Sequence, residues 1–95
     1  MAAQGSIGLT PDQMRGRAGE FTNAASTLND VITKMDGLLN NLQEEWQGES
    51  SKSFKTKFDE LRPGFVKAKD LIDEISNSLK KTADDFEEFD RSHQY

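Results

Sequence analysis

The sequence predicts an all-α fold: an antiparallel two-helix hairpin that pairs with a second hairpin into a four-helix bundle. Three observations carry this. "LTPDQM" is a dense helix-start signal near the beginning of the chain. Two long stretches then place apolar residues at alternating steps of four and three, the spacing of a helical seam. Between them only "EEWQGESS", residues 44–51, has turn chemistry.

The first helix is expected over 11–46, after a flexible segment 1–9. Thr10 suits the N-cap, Pro11 the first helical position, and Gln13 completes a capping box, with Leu9 and Met14 placed to staple the entry. Its apolar residues are Met14, Ala18, Phe21, Ala25, Leu28, Ile32, Met35, Leu39, Leu42 and Trp46, and the four-three alternation does not slip. Trp46, the only tryptophan, therefore ends the stripe rather than sitting in a loop. A second file, Ala24, Val31 and Leu38, widens the apolar face beyond what one neighbouring helix would cover.

The turn is expected over 47–50, with Gly48 as a left-handed C-terminal cap and Ser50 or Ser51 capping the next helix. The second helix is expected over 51–90, followed by a flexible tail 91–95. Its stripe runs Phe54, Phe58, Leu61, Phe65, Ala68, Ile72, Ile75, Leu79, Thr82, Phe86 and Phe89, with Thr82 the one polar member. Pro63-Gly64 would ordinarily end a helix, but the phase from Leu61 to Phe65 passes across it, which predicts a bend near Pro63. Each helix would be about 50 Å long at about 1.5 Å per residue, and so short a turn makes them antiparallel neighbours. In a lone hairpin Ala24, Val31 and Leu38 would face water. Pairing two hairpins covers them, and Leu28, Ile32, Phe54, Phe58 and Ile72 complete the expected core and dimer seam. A homodimer is the first expectation, with a heterodimer of related chains left open.

Composition narrows the function classes. The 95 residues suffice for one small domain, 34 % hydrophobic and 31 % charged, with net charge −5. A pI near 4.8 provides no basic stripe for nucleic acid or for an anionic membrane surface. No apolar run approaches the ~20 residues of a membrane span, so stable membrane insertion is not expected. Cysteine is absent, which removes disulfides and thiolate metal sites. "MAAQGSIGLT" has neither a positive segment nor an apolar core, so no cleavable signal peptide is expected.

Catalytic chemistry is thin. His93, the only histidine, is the third residue from the end, and Ser50, Ser51 and Ser53 have no base to activate them. No enzyme activity, metal or cofactor is expected. Most carboxylates belong to solvated helix faces with lysines one turn away, as in Asp30-Lys34, Lys55-Asp59, Lys69-Asp73, Lys80-Asp84 and Lys81-Asp85. "DDFEEFD", residues 84–90, differs: five carboxylates and two phenylalanines occupy seven positions at a helix C-terminus, where negative charge opposes the dipole. It reads either as a solvated helix end with Phe86 packed on the dimer, or as a marginally ordered tail that docks on another protein.

Two heptad helices with Trp46-Gln47-Gly48 at the midpoint resemble the WXG family of small type VII (ESX-type) secretion substrates, the early secreted antigenic target-like proteins of Gram-positive bacteria. The resemblance implies synthesis in the cytoplasm, export without a cleaved signal by an ATPase-driven machine, and head-to-tail dimers. It also implies a C-terminal export signal with an aromatic residue and an acid four positions apart. Phe86 and Asp90 match that spacing, with phenylalanine in place of the family's tyrosine. Trp46 and Gly48 would then form, with a partner's Phe86 and Asp90, a composite surface for the secretion ATPase. A virulence-associated effector or co-exported partner is the function implied. The alternatives are a non-secreted helical adaptor or chaperone for a larger type VII toxin, and membrane activity after export.

Overall fold

The structure, a computed structural model, describes residues 8–46 and 48–92. Expectations placed on residues 1–7, Gln47, His93 and Tyr95 lie outside the described residues. Two helices account for nearly all the rest: α1, Pro11–Glu45, and α2, Glu49–Ser92. No strand occurs among the described residues, and the fold is an all-helical hairpin.

α1 begins with a reciprocal box. The Thr10 amide donates to Gln13 Oε1 at 2.9 Å, and the Gln13 amide donates to Thr10 Oγ1 at 3.1 Å. Two amides that the first turn leaves without backbone partners are thereby satisfied. The first ladder bond, Met14 N–H to the Thr10 carbonyl, is 2.9 Å. At the far end the Trp46 amide still reaches the Leu42 carbonyl at 2.7 Å, so the backbone leaves the helix at Trp46 itself. α2 opens at Glu49 and runs through Pro63 as a single element, two residues longer at each end than the 51–90 expected.

The hairpin packs as two halves. One joins α1 up to Asn23 with α2 from Ile72 onward, and the other is Ala24–Leu71. In the first half several of the contact residues are small, beside the buried Met14. Ala18 and Ala83 are wholly buried, and Ser76 is 1 % exposed. Ser76 Oγ donates to the Ala18 carbonyl at 2.8 Å, which commits its only proton, so the Thr22 hydroxyl 2.7 Å away is the donor of that second bond. Residues this short let two backbones approach closely, and the serine's polarity is satisfied where it is buried. In the second half Ala25, Ile32 and Leu39 are buried, with Leu28, Met35 and Leu42 half-buried.

The stripe expected on α2 needs correction. Phe58, Phe65, Ile72 and Leu79 are half-buried, but Phe54 and Leu61 are 50 % and 59 % exposed, and Ala68, Thr82 and Phe89 are exposed too. The covered flank is the other one: Ser51, Lys55, Arg62, Lys69, Ser76 and Ala83. At ~100° per residue the two flanks lie about 100° apart around the axis. Stepping by four and three finds the most apolar stripe, whereas the hairpin contact selects small residues and long stems that can lie flat. Arg62 shows the second device. Its guanidinium carbon lies 5.2 Å from the centre of the Phe58 ring, and the group pairs with Asp36 and, at 2.8 Å, with Asp59. The stem covers apolar surface while the charge is met at its edge.

Candidate functional site

Two places in the chain collect the residues singled out by the sequence. At the turn, Trp46 is 47 % exposed and its ring centre lies 6.4 Å from that of Phe54, tilted by 54°. This spacing is within the range of favourable aromatic pairs. One side of the indole thus rests on α2 while a large part of it meets solvent.

Gly48 departs from its expected role. No described glycine has a positive φ, so Gly48 is not a left-handed cap. Its carbonyl instead accepts the Lys52 amide at 3.3 Å and the Ser51 hydroxyl at 3.3 Å. That makes Gly48 the N-cap residue of α2, a position where glycine is tolerated. Ser51, expected as a cap, lies inside the first turn and is 1 % exposed. A Cβ built on Gly48 would meet Trp46 Nε1 at 3.4 Å and Cδ1 at 3.8 Å, which is ordinary contact. The backbone and its surroundings therefore place only a weak demand for glycine here.

At the tail, α2 remains helical through the acidic run to Ser92. Arg15 of α1, which the sequence reading did not single out, lies against this run. Its guanidinium contacts Asp84 Oδ1 at 2.7 Å, Glu87 Oε1 at 2.5 Å and Asp12 Oδ1 at 3.4 Å. The hydrogen bond from Arg15 is the main cause holding the Glu87 carboxyl below the usual carboxylate range, and the same two carboxylates raise Arg15. One cation from the start of α1 thus offsets two of the five carboxylates in the run. Asp85 pairs with Lys81 at 2.9 Å and Glu88 with Arg91 at 2.7 Å. Of the lysine pairs expected, Lys55-Asp59 forms at 2.8 Å and Lys81-Asp85 forms, whereas Asp84 turns to Arg15 instead.

Phe86 is 47 % exposed and Asp90 is exposed one helical turn further on. With Phe89 they line a groove of about 400 Å³ whose other wall is Gly8, Leu9, Thr10 and Pro11. Ala24, Val31 and Leu38, expected to face water in a lone hairpin, are exposed or half-exposed in the Ala24–Leu71 half, and Phe54, expected in the core and dimer seam, is half-exposed there too. Leu28, Ile32, Phe58 and Ile72 are buried or half-buried. Among the described residues, no helix is long and apolar enough to cross a membrane.

An all-helical hairpin with a half-exposed Trp-X-Gly corner defines a small class of helical proteins. The chain belongs to the WXG100 family, proteins of 100 residues with WXG, whose family model matches residues 6–91. Its fold is similar to crystal-form I of EsxA from Geobacillus thermodenitrificans, with a TM-score of 0.89 and 34 % identity over 100 % of both chains. Protein YukE of Bacillus subtilis is 26 % identical over 87 residues, 92 % of this chain and 90 % of that protein. The type VII secretion system extracellular protein A of Staphylococcus aureus is 22 % identical over 85 residues, 90 % of this chain and 88 % of that one.

Proposed function

We propose that this chain is a small helical substrate of a type VII secretion machine, exported from the cytoplasm without a cleaved signal. It acts through protein-protein contacts as a virulence-associated effector or co-exported partner, not as an enzyme. The observation that carries the reading is the tail: Phe86 and Asp90 stand exposed one turn apart on an ordered helix. An aromatic and an acid held on a rigid element form a surface that a receptor can read without first paying to order it. Similarity to an extracellular type VII protein supports the same reading.

The working form is a homodimer, in which the apolar file left half-exposed on each hairpin is covered by its copy. Trp46 and Gly48 of one subunit then lie beside Phe86 and Asp90 of the other, so that the secretion ATPase reads assembled substrate. The test compares secretion of the wild type, Trp46→Ala and Phe86→Ala, in cells with and without that ATPase, alongside circular dichroism of each purified protein. ATPase-dependent export of the wild type, lost in either variant with helicity retained, supports the reading. Undiminished export of both folded variants overturns the recognition surface. A second reading has one observation in its favour: the half-exposed Val31, Leu38, Phe54 and Leu61 would equally cover a helical segment of a larger toxin. A stable complex with such a toxin, and no export of this chain alone, favours an adaptor.

A further inference from the structure

The groove beside Phe86 has a wall that the aromatic-acid spacing does not include. Leu9 and Pro11, at the entry to α1, face Phe86 and Phe89 of α2, with Asp90 at the rim. Four of the seven lining residues are large and apolar, and the volume of about 400 Å³ falls in the range of small recognition pockets. We propose that this groove is a docking site for an apolar side chain flanked by a lysine or arginine, borne on a segment of the export machinery. The start of α1 is thereby part of the recognition site. This rests on the export reading given above and names the chemistry of the partner.

Charge complementarity selects that occupant. Of the five carboxylates in residues 84–90, four have cationic partners: Asp84 and Glu87 on Arg15, Asp85 on Lys81, and Glu88 on Arg91. Asp90 alone makes no ion pair among the described residues, and it is the one that lines the groove. Thr10, the other polar side chain there, accepts the Gln13 amide and carries no charge, so Asp90 is the one anionic group lining the groove. An apolar side chain would fill the space between Leu9, Pro11 and the two rings while a neighbouring cation meets Asp90. Arg15 holds the two walls in place beforehand, because its bonds to Asp84 and Glu87 tie the last turns of α2 to the start of α1. A preformed groove of this kind binds without first ordering its walls.

The test titrates the ¹⁵N-labelled full chain with two peptides, acetyl-Gly-Leu-Lys-Gly-amide and acetyl-Gly-Leu-Glu-Gly-amide. Saturable shifts at the amides of Leu9, Thr10 and residues 86–90 are expected with the lysine peptide. Binding should be about threefold weaker for the glutamate peptide, and about threefold weaker for the lysine peptide on Asp90→Asn, the scale of one exposed ion pair. Equal affinity for both peptides, or shifts centred on Val31 and Phe54, overturns the proposal. Groove amides that move on dilution of the protein alone mean that a second copy sits there. Binding that appears only after residues 1–7 or 93–95 are removed means that the chain covers the groove itself. Either result overturns it as well. In cells, Leu9→Asn and the exposed Asp90→Asn should each reduce export while helicity is retained. Export of the wild type that does not depend on the ATPase sinks the export reading, and the peptide arm still judges the groove. ATPase-dependent export at the wild-type level in both folded variants sinks the groove.

Discussion

Gly48 illustrates how little of a motif residue's role need come from the backbone. A glycine after a helix invites a left-handed cap, yet its φ is not positive and a methyl group would find ordinary contact with the indole. What remains is a mild N-cap preference, since alanine is a poor residue there. Gly48→Ala should therefore cost about 1 kcal/mol or less, a fall in thermal midpoint of no more than about 8 °C for a domain of this size. A melt followed by circular dichroism checks this, and a much larger drop would mean that the turn does need glycine. Trp46 is similar: losing its ring contact with Phe54 should cost about 1 kcal/mol and leave the helices intact. If both changes are mild in the melt but abolish export, recognition is what holds the pair in place. The position of the turn was legible in the sequence, because Trp46 closes an unbroken stripe. The conformation of Gly48 was not, because φ depends on where the next helix begins, and Ser50 and Ser51 pointed two or three residues too late.

The two helices differ in how openly they declare their contact face. On α1 the four-three stripe is the face that becomes covered, from Met14 to Leu42. On α2 half of the stripe is turned outward, because its covered flank is built from Ser51, Ser76, Ala83 and long cationic stems that counting apolar residues passes over. Close approach around Ser76 has a measurable consequence. Ser76→Ala removes hydrogen bonds to Ala18 and Thr22 and should cost about 1 kcal/mol. Ser76→Leu adds apolar surface yet should cost more, about 1–3 kcal/mol or beyond, because the added carbons must force the helices apart. Urea denaturation of both variants decides the order, and a leucine variant more stable than the alanine one would show that the interface is loose. The order of the acidic tail was left open in the sequence for a related reason: Arg15 lies 69 and 72 residues from its partners, and helical periodicity carries no information at that range. Its role gives a pH dependence. The Glu87 carboxyl is held below its ordinary range by Arg15, so the ion pair contributes fully above that ordinary pKa and is lost as the pH falls through the lowered value. Amide exchange at residues 86–90 should therefore quicken, relative to the rest of α2, once the pH drops well below 4.5. Arg15→Gln should show fast exchange there already at neutral pH, with little further change on acidification.

For the molecule as a whole, the residues that α1 and α2 leave uncovered are as informative as those they bury. In the Ala24–Leu71 half, Val31 and Leu38 on α1 and Phe54 and Leu61 on α2 are each at least half exposed. On each helix this file lies on the same side of the covered stripe in the direction of the sequence, and the two helices run antiparallel. The sense of rotation is therefore reversed for one of them, and both files arrive on one face of the hairpin. A single isolated leucine at the surface needs no explanation, but four large apolar side chains on one face point to a partner. The proposed dimer makes a sharp distinction between variants. Leu38→Glu and Leu61→Glu place a charge where the monomer meets water, so the hairpin should keep its helicity. In the dimer the same charge would be buried without a counterion, which costs several kcal/mol. Light scattering of the wild type should give about twice the 10.7 kDa of one chain, and each glutamate variant should give one chain's mass at the same concentration. Ile32→Glu is the contrasting control: that position is covered within the hairpin itself, so the variant should lose helicity rather than only its partner. A wild type that is monomeric yet folded would assign the apolar face to a different chain, as the adaptor reading requires. Glutamate variants that remain dimeric would move the interface off this face altogether.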